Sequence, residues 1–329
     1  MKVAVVGGAG YIGSFTTFAL REAGHEAVVI DDLSSGHKEA IGGFPLLKID
    51  ILNETERLLE TFQKERFDAV IHFAALISVG ESVKNPGLYF RHNVCGSLNV
   101  IEAAATNGVK KFVFSSTAAV YGDPEILPIP ETHPLRPKNP YGESKLMVEK
   151  ILGWYWESCK LPSVSIRYFN AAGASLDGKM GDDHPIKTHL IPNIVFSVLE
   201  GRELTVFGND YPTPDGTCIR DYIHVLDLAS VHVKALNYLD GKQGAFAFNA
   251  GTGRGYSNLE VLRMAEKVSG RPVEYNFGGH REGDVAQLIA DPGTARKELG
   301  WEPSFSDLET IIKSAWLWHT QNPKGYSGV

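Results

Sequence analysis

Val6-Gly7-Gly8-Ala9-Gly10-Tyr11-Ile12-Gly13 decides the fold. Gly8, Gly10 and Gly13 satisfy G-x-G-x-x-G, and Gly7, Gly10 and Gly13 also give G-x-x-G-x-x-G. Such a pattern alone is weak, because an ordinary structural turn produces it too. Here it follows a short apolar run, Lys2–Val6, and opens an amphipathic segment from Tyr11 to Ala23. In that strand–turn–helix context the glycines permit a tight turn, and a pyrophosphate can rest on the positive end of the helix. Asp31 ends the next strand, 21 residues after Gly10. A carboxylate there can accept both ribose hydroxyls of a dinucleotide. Asp32 follows it and no arginine is adjacent, which favours NAD over NADP.

Outward from this turn the first half alternates. Strand-like runs at Ala27–Ile30, Leu46–Ile49, Ala69–Phe73, Lys111–Phe114 and Ser163–Arg167 are separated by helical patterns near Thr55–Lys64, Asn93–Thr106 and Tyr141–Ser158. This spacing predicts βαβ units and a Rossmann-type, doubly wound parallel sheet. After about Phe169 glycine and proline become dense, from Ala172 to Pro185 and from Gly208 to Gly216. Short strands (Leu204–Phe207, Phe246–Asn249) mix with helices (Leu190–Leu199, Leu226–Tyr238, Asn258–Ser269). The expectation is an α/β fold with an NAD-binding domain over residues 1–168 and a second, smaller α/β substrate lobe over 169–329, some of whose segments return to the first.

Tyr141-Gly142-Glu143-Ser144-Lys145 places a phenol and an ammonium at i and i+4, on one helix face. A free tyrosine is a poor base at neutral pH, but a lysine and a cationic nicotinamide beside it stabilise the phenolate. Ser115-Ser116-Thr117 ends a strand at the sheet edge where ligands bind, and a hydroxyl there can bridge the phenol to a substrate hydroxyl. In isolation the Tyr/Lys pair would read as an exposed pair on an amphipathic helix. Its position after a dinucleotide fingerprint and a hydroxyl-rich strand end makes Tyr141, Lys145 and Thr117 the candidate catalytic set.

The chain has 329 residues, 43% of them hydrophobic, which is enough for a large core. Its net charge of −7 without a basic run disfavours general nucleic-acid binding. Positive charge for an anionic ligand must therefore be supplied locally. Three scattered cysteines without metal-ligand spacing fit free thiols in a reducing compartment. With no export signal and no apolar stretch of membrane-spanning length, the expectation is a cytoplasmic protein without a membrane partner. The eleven histidines show no H-x-x-x-H pairing, so no metal site is expected.

These residues and a further series of stretches resemble the extended short-chain dehydrogenase/reductases, and among them the UDP-galactose 4-epimerases. The stretches are GGAGYIG (7–13), HFAA (72–75), GESV (80–83), FSSTAAVYG (114–122), NPYGESK (139–145), RYFNAAGA (167–174), FGNDYPTPDGTCIRDYIHV (207–225) and REGD (281–284). Only the resemblance names a sugar. It implies that Tyr141 takes the proton of a sugar 4-hydroxyl, with Thr117 in the relay, while tightly held NAD oxidises C4 and the 4-keto sugar turns over. It places Asp50 and Ile51 near the adenine, Asn93 near the cofactor and Tyr168 near the nicotinamide. Ser35, Phe73, Ala74, Ala75 and Ser115 join that cofactor set. For the UDP-sugar it implies Arg220 and Arg281 at the diphosphate or uridine, Asp284 at a ribose, and Thr205 and Phe207 flanking the uracil. Asn170 and His189 would lie toward the sugar or diphosphate, with Phe169, Leu190, Tyr222 and Leu288 completing the lining. A structural Arg220–Asp221 ion pair and a surface Arg281 are the alternatives.

Three positions depart from well-known bacterial members: Ile77 for a lysine near the cofactor, Thr117 for a serine, and Leu288 for a tyrosine lining the sugar pocket. The last leaves room for an N-acetyl group. A nucleotide-sugar dehydratase is disfavoured because Ala118 and Ala119 stand where dehydratases carry an Asp-Glu pair. A non-catalytic NAD sensor is disfavoured because the Tyr/Lys pair is kept. The helix after Tyr141 is apolar on more than one side, which suggests packing against a second subunit as a two-fold dimer.

Overall fold

The computed structural model describes residues 1–184, 189–281 and 284–328. The chain opens with β1 (Lys2–Val6), α1 (Tyr11–Glu22), β2 (Glu26–Asp31), β3 (Leu46–Lys48), α2 (Thr55–Glu65) and β4 (Ala69–His72). Short helices α3 (Val79–Lys84) and α4 (Pro86–Tyr89) lead through a π-helical turn, Phe90–Cys95, into α5 (Gly96–Thr106). The helix expected to start at Asn93 thus begins three residues later. β5 (Lys111–Thr117), α6 (Pro140–Cys159) and β6 (Ser163–Tyr168) complete the first half.

Beyond these come β7 (Asn170–Ala172), α7 (Leu190–Glu200), β8 (Leu204–Phe207), β9 (Ile219–Arg220), β10 (Tyr222–His224), α8 (Val225–Tyr238) and β11 (Ala245–Ala250). The chain finishes with β12 (Tyr256–Ser257), α9 (Asn258–Ser269), β13 (Tyr275–Gly278), β14 (Gln287–Leu288), α10 (Gly293–Leu299) and α11 (Leu308–Gln321).

Seven parallel strands form the main sheet in the order β11-β6-β5-β4-β1-β2-β3. Period-two alternation sends Val3 and Val5 to one face and Ala4 and Val6 to the other, all without solvent exposure. Leu20 of α1, Leu228 and Val231 of α8 and Leu299 of α10 cover the first face. Leu58 and Phe62 of α2, Val100 of α5 and Val148 and Leu152 of α6 cover the second. Strand order reverses between β1 and β4, so a crevice opens beyond their carboxyl ends.

One expectation is corrected here. Phe246–Asn249 lies in β11, which pairs with β6 residue for residue, from Ala245↔Ser163 to Ala250↔Tyr168. It belongs to the main sheet and not to the smaller lobe. The cause is α8, a crossover helix that packs along α1 and buries Leu228, Val231, Ala235 and Leu236 against the sheet. The remainder after residue 169 builds three small sheets, β10-β7, β12-β9-β14 and β13-β8, around a separate core of α7, α9 and α11.

Candidate functional site

A cavity of about 710 Å3 runs from the glycine turn to the small sheets. Its inner end is set by backbone contact. Gly7 takes φ +78, and a Cβ there would stand 2.4 Å from Ala74 N; a Cβ at Gly13 would stand 2.2 Å from Gly7 O. Only glycine lets the loop after β1, the loop after β4 and the first turn of α1 converge this closely. At Gly10 an added Cβ would meet only Gly7 O, at 3.4 Å. Helix α1 starts there without a side-chain cap and without an acid in its first turn, so its N-terminus is left for an anion. Asp31 ends β2 at the cavity wall, its two oxygens accepting from Ala9 N and Leu33 N at 2.9 Å each. Burial raises its pKa and these amides oppose the rise. The donor-rich turn and the carboxylate match a dinucleotide's diphosphate and ribose.

The middle of the cavity holds the catalytic candidates. Asn139 caps α6 by accepting from Gly142 N at 2.8 Å, and Pro140 occupies the first turn. A Cβ at Gly142 would lie 2.7 Å from Ala119 O, so this glycine lets α6 press against the end of β5 and brings Tyr141 beside Thr117. Burial pushes the Tyr141 phenol well above its ordinary pKa, and the neighbouring Thr117 hydroxyl opposes the rise. Ser115 and Tyr168 hydroxyls lie 2.8 Å apart. Lys145 is buried behind the wall, its Nζ donating to Ser115 O at 2.9 Å, and burial pulls its pKa down to about 7. One turn on, Glu149 accepts from Ser116 Oγ at 2.5 Å and Arg167 Nη2 at 2.6 Å, fastening α6 to β5 and β6.

The outer end is built by the small sheets. Arg220 is buried on β9, with Nη1 donating to Val285 O at 2.7 Å and Nη2 3.5 Å from Asp284 Oδ1. The Arg220–Asp221 pair raised as an alternative does not form. Asp221 instead accepts from Thr252 and Gly253 amides and from Ala290 N, and burial lifts its pKa to about 6. Arg281 is exposed at the rim; Glu282 and Gly283 of the REGD stretch lie outside the described residues. His189 precedes α7 at the wall without a side-chain capping bond, its Nδ1 3.9 Å from Asp182 Oδ2.

All the candidate residues face this cavity except Asn93 and Lys145. Asn93 sits one layer back, accepting from Leu76 N at 2.8 Å and donating to Leu76 O and Ser144 Oγ at 3.0 Å. It fixes the loop after β4 to the catalytic helix. Lining residues absent from the sequence reading include His92, Lys138, Asn139, Asp182, Asn193 and Asn258. Asn139 carried a usable signal, an N-cap before proline; Lys138 and Asp182 sit in loops, and His92, Asn193 and Asn258 sit in helical turns, and no local pattern encodes their convergence. Among the described residues no group of His, Cys, Asp and Glu is clustered for a metal, and no helix is long and apolar enough to cross a membrane.

Residues 3–251 match the model of the NAD dependent epimerase/dehydratase family. The chain belongs to that family. A UDP-glucose 4-epimerase of Lacticaseibacillus casei is 46% identical over 99% of both chains. Among solved structures, the UDP-glucose 4-epimerase of Brucella ovis in complex with NAD superposes with a TM-score of 0.92 at 45% identity, covering 96% of this chain and 97% of that one. The UDP-Glc/GlcNAc 4-epimerase of Campylobacter jejuni gives a TM-score of 0.84 at 42% identity, covering 97% and 99%. The family's cofactor, NAD, fits the glycine turn and Asp31 of this epimerase/dehydratase-family member.

Proposed function

We propose that the protein is a UDP-glucose 4-epimerase, an isomerase that interconverts UDP-glucose and UDP-galactose with NAD held in the cavity. The observation that carries this reading is the continuity of one cavity. A dinucleotide cradle, the Thr117–Tyr141 pair and the Arg220 and Arg281 guanidiniums line a single space of about 710 Å3. When bound, NAD supplies reversible two-electron oxidation at C4. Gly7, Gly10, Gly13 and Asp31 would hold it, and Asp50, Ile51, Phe73 and Ala75 line the same space.

The chain's own groups handle the proton and the position of the sugar. Burial keeps the Tyr141 phenol protonated in the free protein. Positive charge from Lys145 is what turns it into a base. Lys145 titrates near neutrality, so Nζ carries the proton that the Tyr141 phenol gives up, leaving a phenolate and an ammonium. The sugar 4-hydroxyl then gives its proton to Tyr141, directly or through Thr117 Oγ1. The resulting 4-keto sugar turns its other face while Arg220 and Arg281 retain the diphosphate, whose charge suits two guanidiniums. Tyr141 returns the proton to O4. Dehydration needs acid–base side chains beside Thr117, and methyl groups of Ala118 and Ala119 line the wall there.

Leu288 lines the same space and packs with Ile129 and Phe169, leaving an apolar wall for the methyl of an acetamido group. UDP-N-acetylglucosamine therefore belongs to the proposed substrate range. A homodimer is supported by α6, on which Met147, Ile151, Trp154 and Tyr155 form a stripe, with Trp154 73% exposed. Three unpaired thiols, Cys95, Cys159 and Cys218, support a reducing, cytoplasmic setting.

Incubation of the purified protein with UDP-glucose and no added NAD tests the function. UDP-galactose is the expected product. A product lighter by one water, or none at all from NAD-loaded protein, would overturn the assignment.

A further inference from the structure

The glycine turn is held from behind by the end of the chain. Next to the inner end of the main cavity lies a small cavity of about 40 Å3, and Gly10, Tyr11, Ser35 and Asp182 line both. These residues form a thin wall with the proposed cofactor site on one side. On the other side stands the C-terminal turn. Gly325, at φ 60, folds the backbone under Asp183, and Tyr326 N donates to Asp183 Oδ2 at 2.9 Å. The Tyr326 hydroxyl accepts from Gly181 N at 3.1 Å. Its buried ring packs against Trp318 and His37, with centroids 4.8 and 5.3 Å apart.

His37 completes the connection. Its Nε2 lies 3.1 Å from Asp183 O and 3.5 Å from Asp183 Oδ2, and its backbone N donates to Ala9 O at 2.9 Å. Gly36 packs so closely that a Cβ there would stand 2.9 Å from Ala9 C. A continuous chain of contacts therefore runs from the glycine turn through His37 and Asp183 to Tyr326. None of His37, Asp183 and Tyr326 lines the main cavity.

We propose that the C-terminal turn is a latch on the dinucleotide site. Tyr326 is a positioning residue that clamps segments 35–37 and 181–184 against the glycine turn and so sets how long NAD stays bound. The proposal rests on the reading of the cavity as an NAD site. In a cycle that regenerates its cofactor, slow release keeps every molecule competent between turnovers.

The test follows NAD loss from the purified, NAD-loaded enzyme after transfer to NAD-free buffer. Gly325→Ala places a Cβ 1.9 Å from Asp183 Oδ2 at a left-handed backbone position, so the turn must move. Tyr326→Ala removes the ring, Tyr326→Phe removes only the hydroxyl, and exposed Lys324→Ala is the control in the same segment. Gly325→Ala and Tyr326→Ala are expected to lose NAD roughly tenfold faster, Tyr326→Phe less so, and Lys324→Ala at the wild-type rate. Added NAD should restore kcat in Tyr326→Ala while its loss rate stays high. Equal loss rates in all variants overturn the latch alone. Failure of added NAD to restore Tyr326→Ala also overturns it, because the turn is then only part of the general packing. Wild-type protein that binds no NAD overturns the cavity reading and the latch with it.

Discussion

Methionine in place of Lys145 keeps the length of the side chain and removes its charge. Nζ is buried and donates to the Ser115 carbonyl. Burial holds its pKa at about 7, below the ordinary 10.5. A lysine whose folded pKa lies below its unfolded one costs stability when the native state must carry the charge. The cost is complete below about pH 7, declines as pH rises toward 10.5 and vanishes above it. The fall from 10.5 to about 7 corresponds to ~5 kcal/mol at most, of which about 2 kcal/mol disappears between pH 7 and 9. Lys145→Met is therefore expected to be inactive yet more stable than the parent at pH 7, with an advantage that shrinks toward pH 9. Urea unfolding of NAD-stripped proteins at pH 7, 8 and 9 measures it. A stability difference that does not change with pH, or a methionine variant less stable at pH 7, would refute the account of Lys145 as a buried charge awaiting an anion.

Tyr141→Phe removes the proton carrier and is expected to lower turnover by roughly 10²–10⁴-fold while NAD content and UDP-sugar affinity stay near wild type; near-full turnover would exclude Tyr141 as the base. The unmodified protein is expected to epimerise UDP-N-acetylglucosamine beside UDP-glucose, and Leu288→Tyr to cut the first activity more than the second, by ~1–3 kcal/mol of discrimination. Absence of UDP-N-acetylgalactosamine after long incubation would show that residue 288 does not set the pocket. Trp154→Glu replaces the exposed indole of α6 with a charge and should convert a dimer to a monomer by light scattering at micromolar concentration. A monomeric parent protein would defeat the dimer.

The sequence carried the main sheet through β6 because its central strands are buried on both faces and helical patterns separate them. It also carried the Tyr141–Lys145 pair and the Thr117 strand end, whose spacing along one helix and one strand is local. It misassigned β11, because a glycine-rich stretch separates it from the strands it joins and its partner, β6, lies far back in the chain. The two-residue strands β9, β12 and β14 have no period to read. Lys145 was read as a catalytic partner and Asn93 as a residue near the cofactor; both sit one layer behind the cavity wall, Lys145 on Ser115 O and Asn93 on Leu76 and Ser144. Asp221 was read as a possible partner of its neighbour, whereas it accepts from three amides of two backbone segments, 252–253 and 290, that only the folded chain brings together.

The return of the chain to the main sheet limits how this protein can be divided. A fragment ending at residue 168 would lose β11 and bare the edge of β6, inviting intermolecular pairing. It would also uncover the flank of α1 and the sheet face that α8 and α10 cover, presenting Val3, Val5 and Leu20 to water. The part of the chain after residue 169 thus contributes two helices and a strand to the cover of the main sheet. Grafting the small lobe of a relative onto this chain would have to leave residues 225–250 and 293–299 in place, and domain exchange by a single cut would yield an insoluble product.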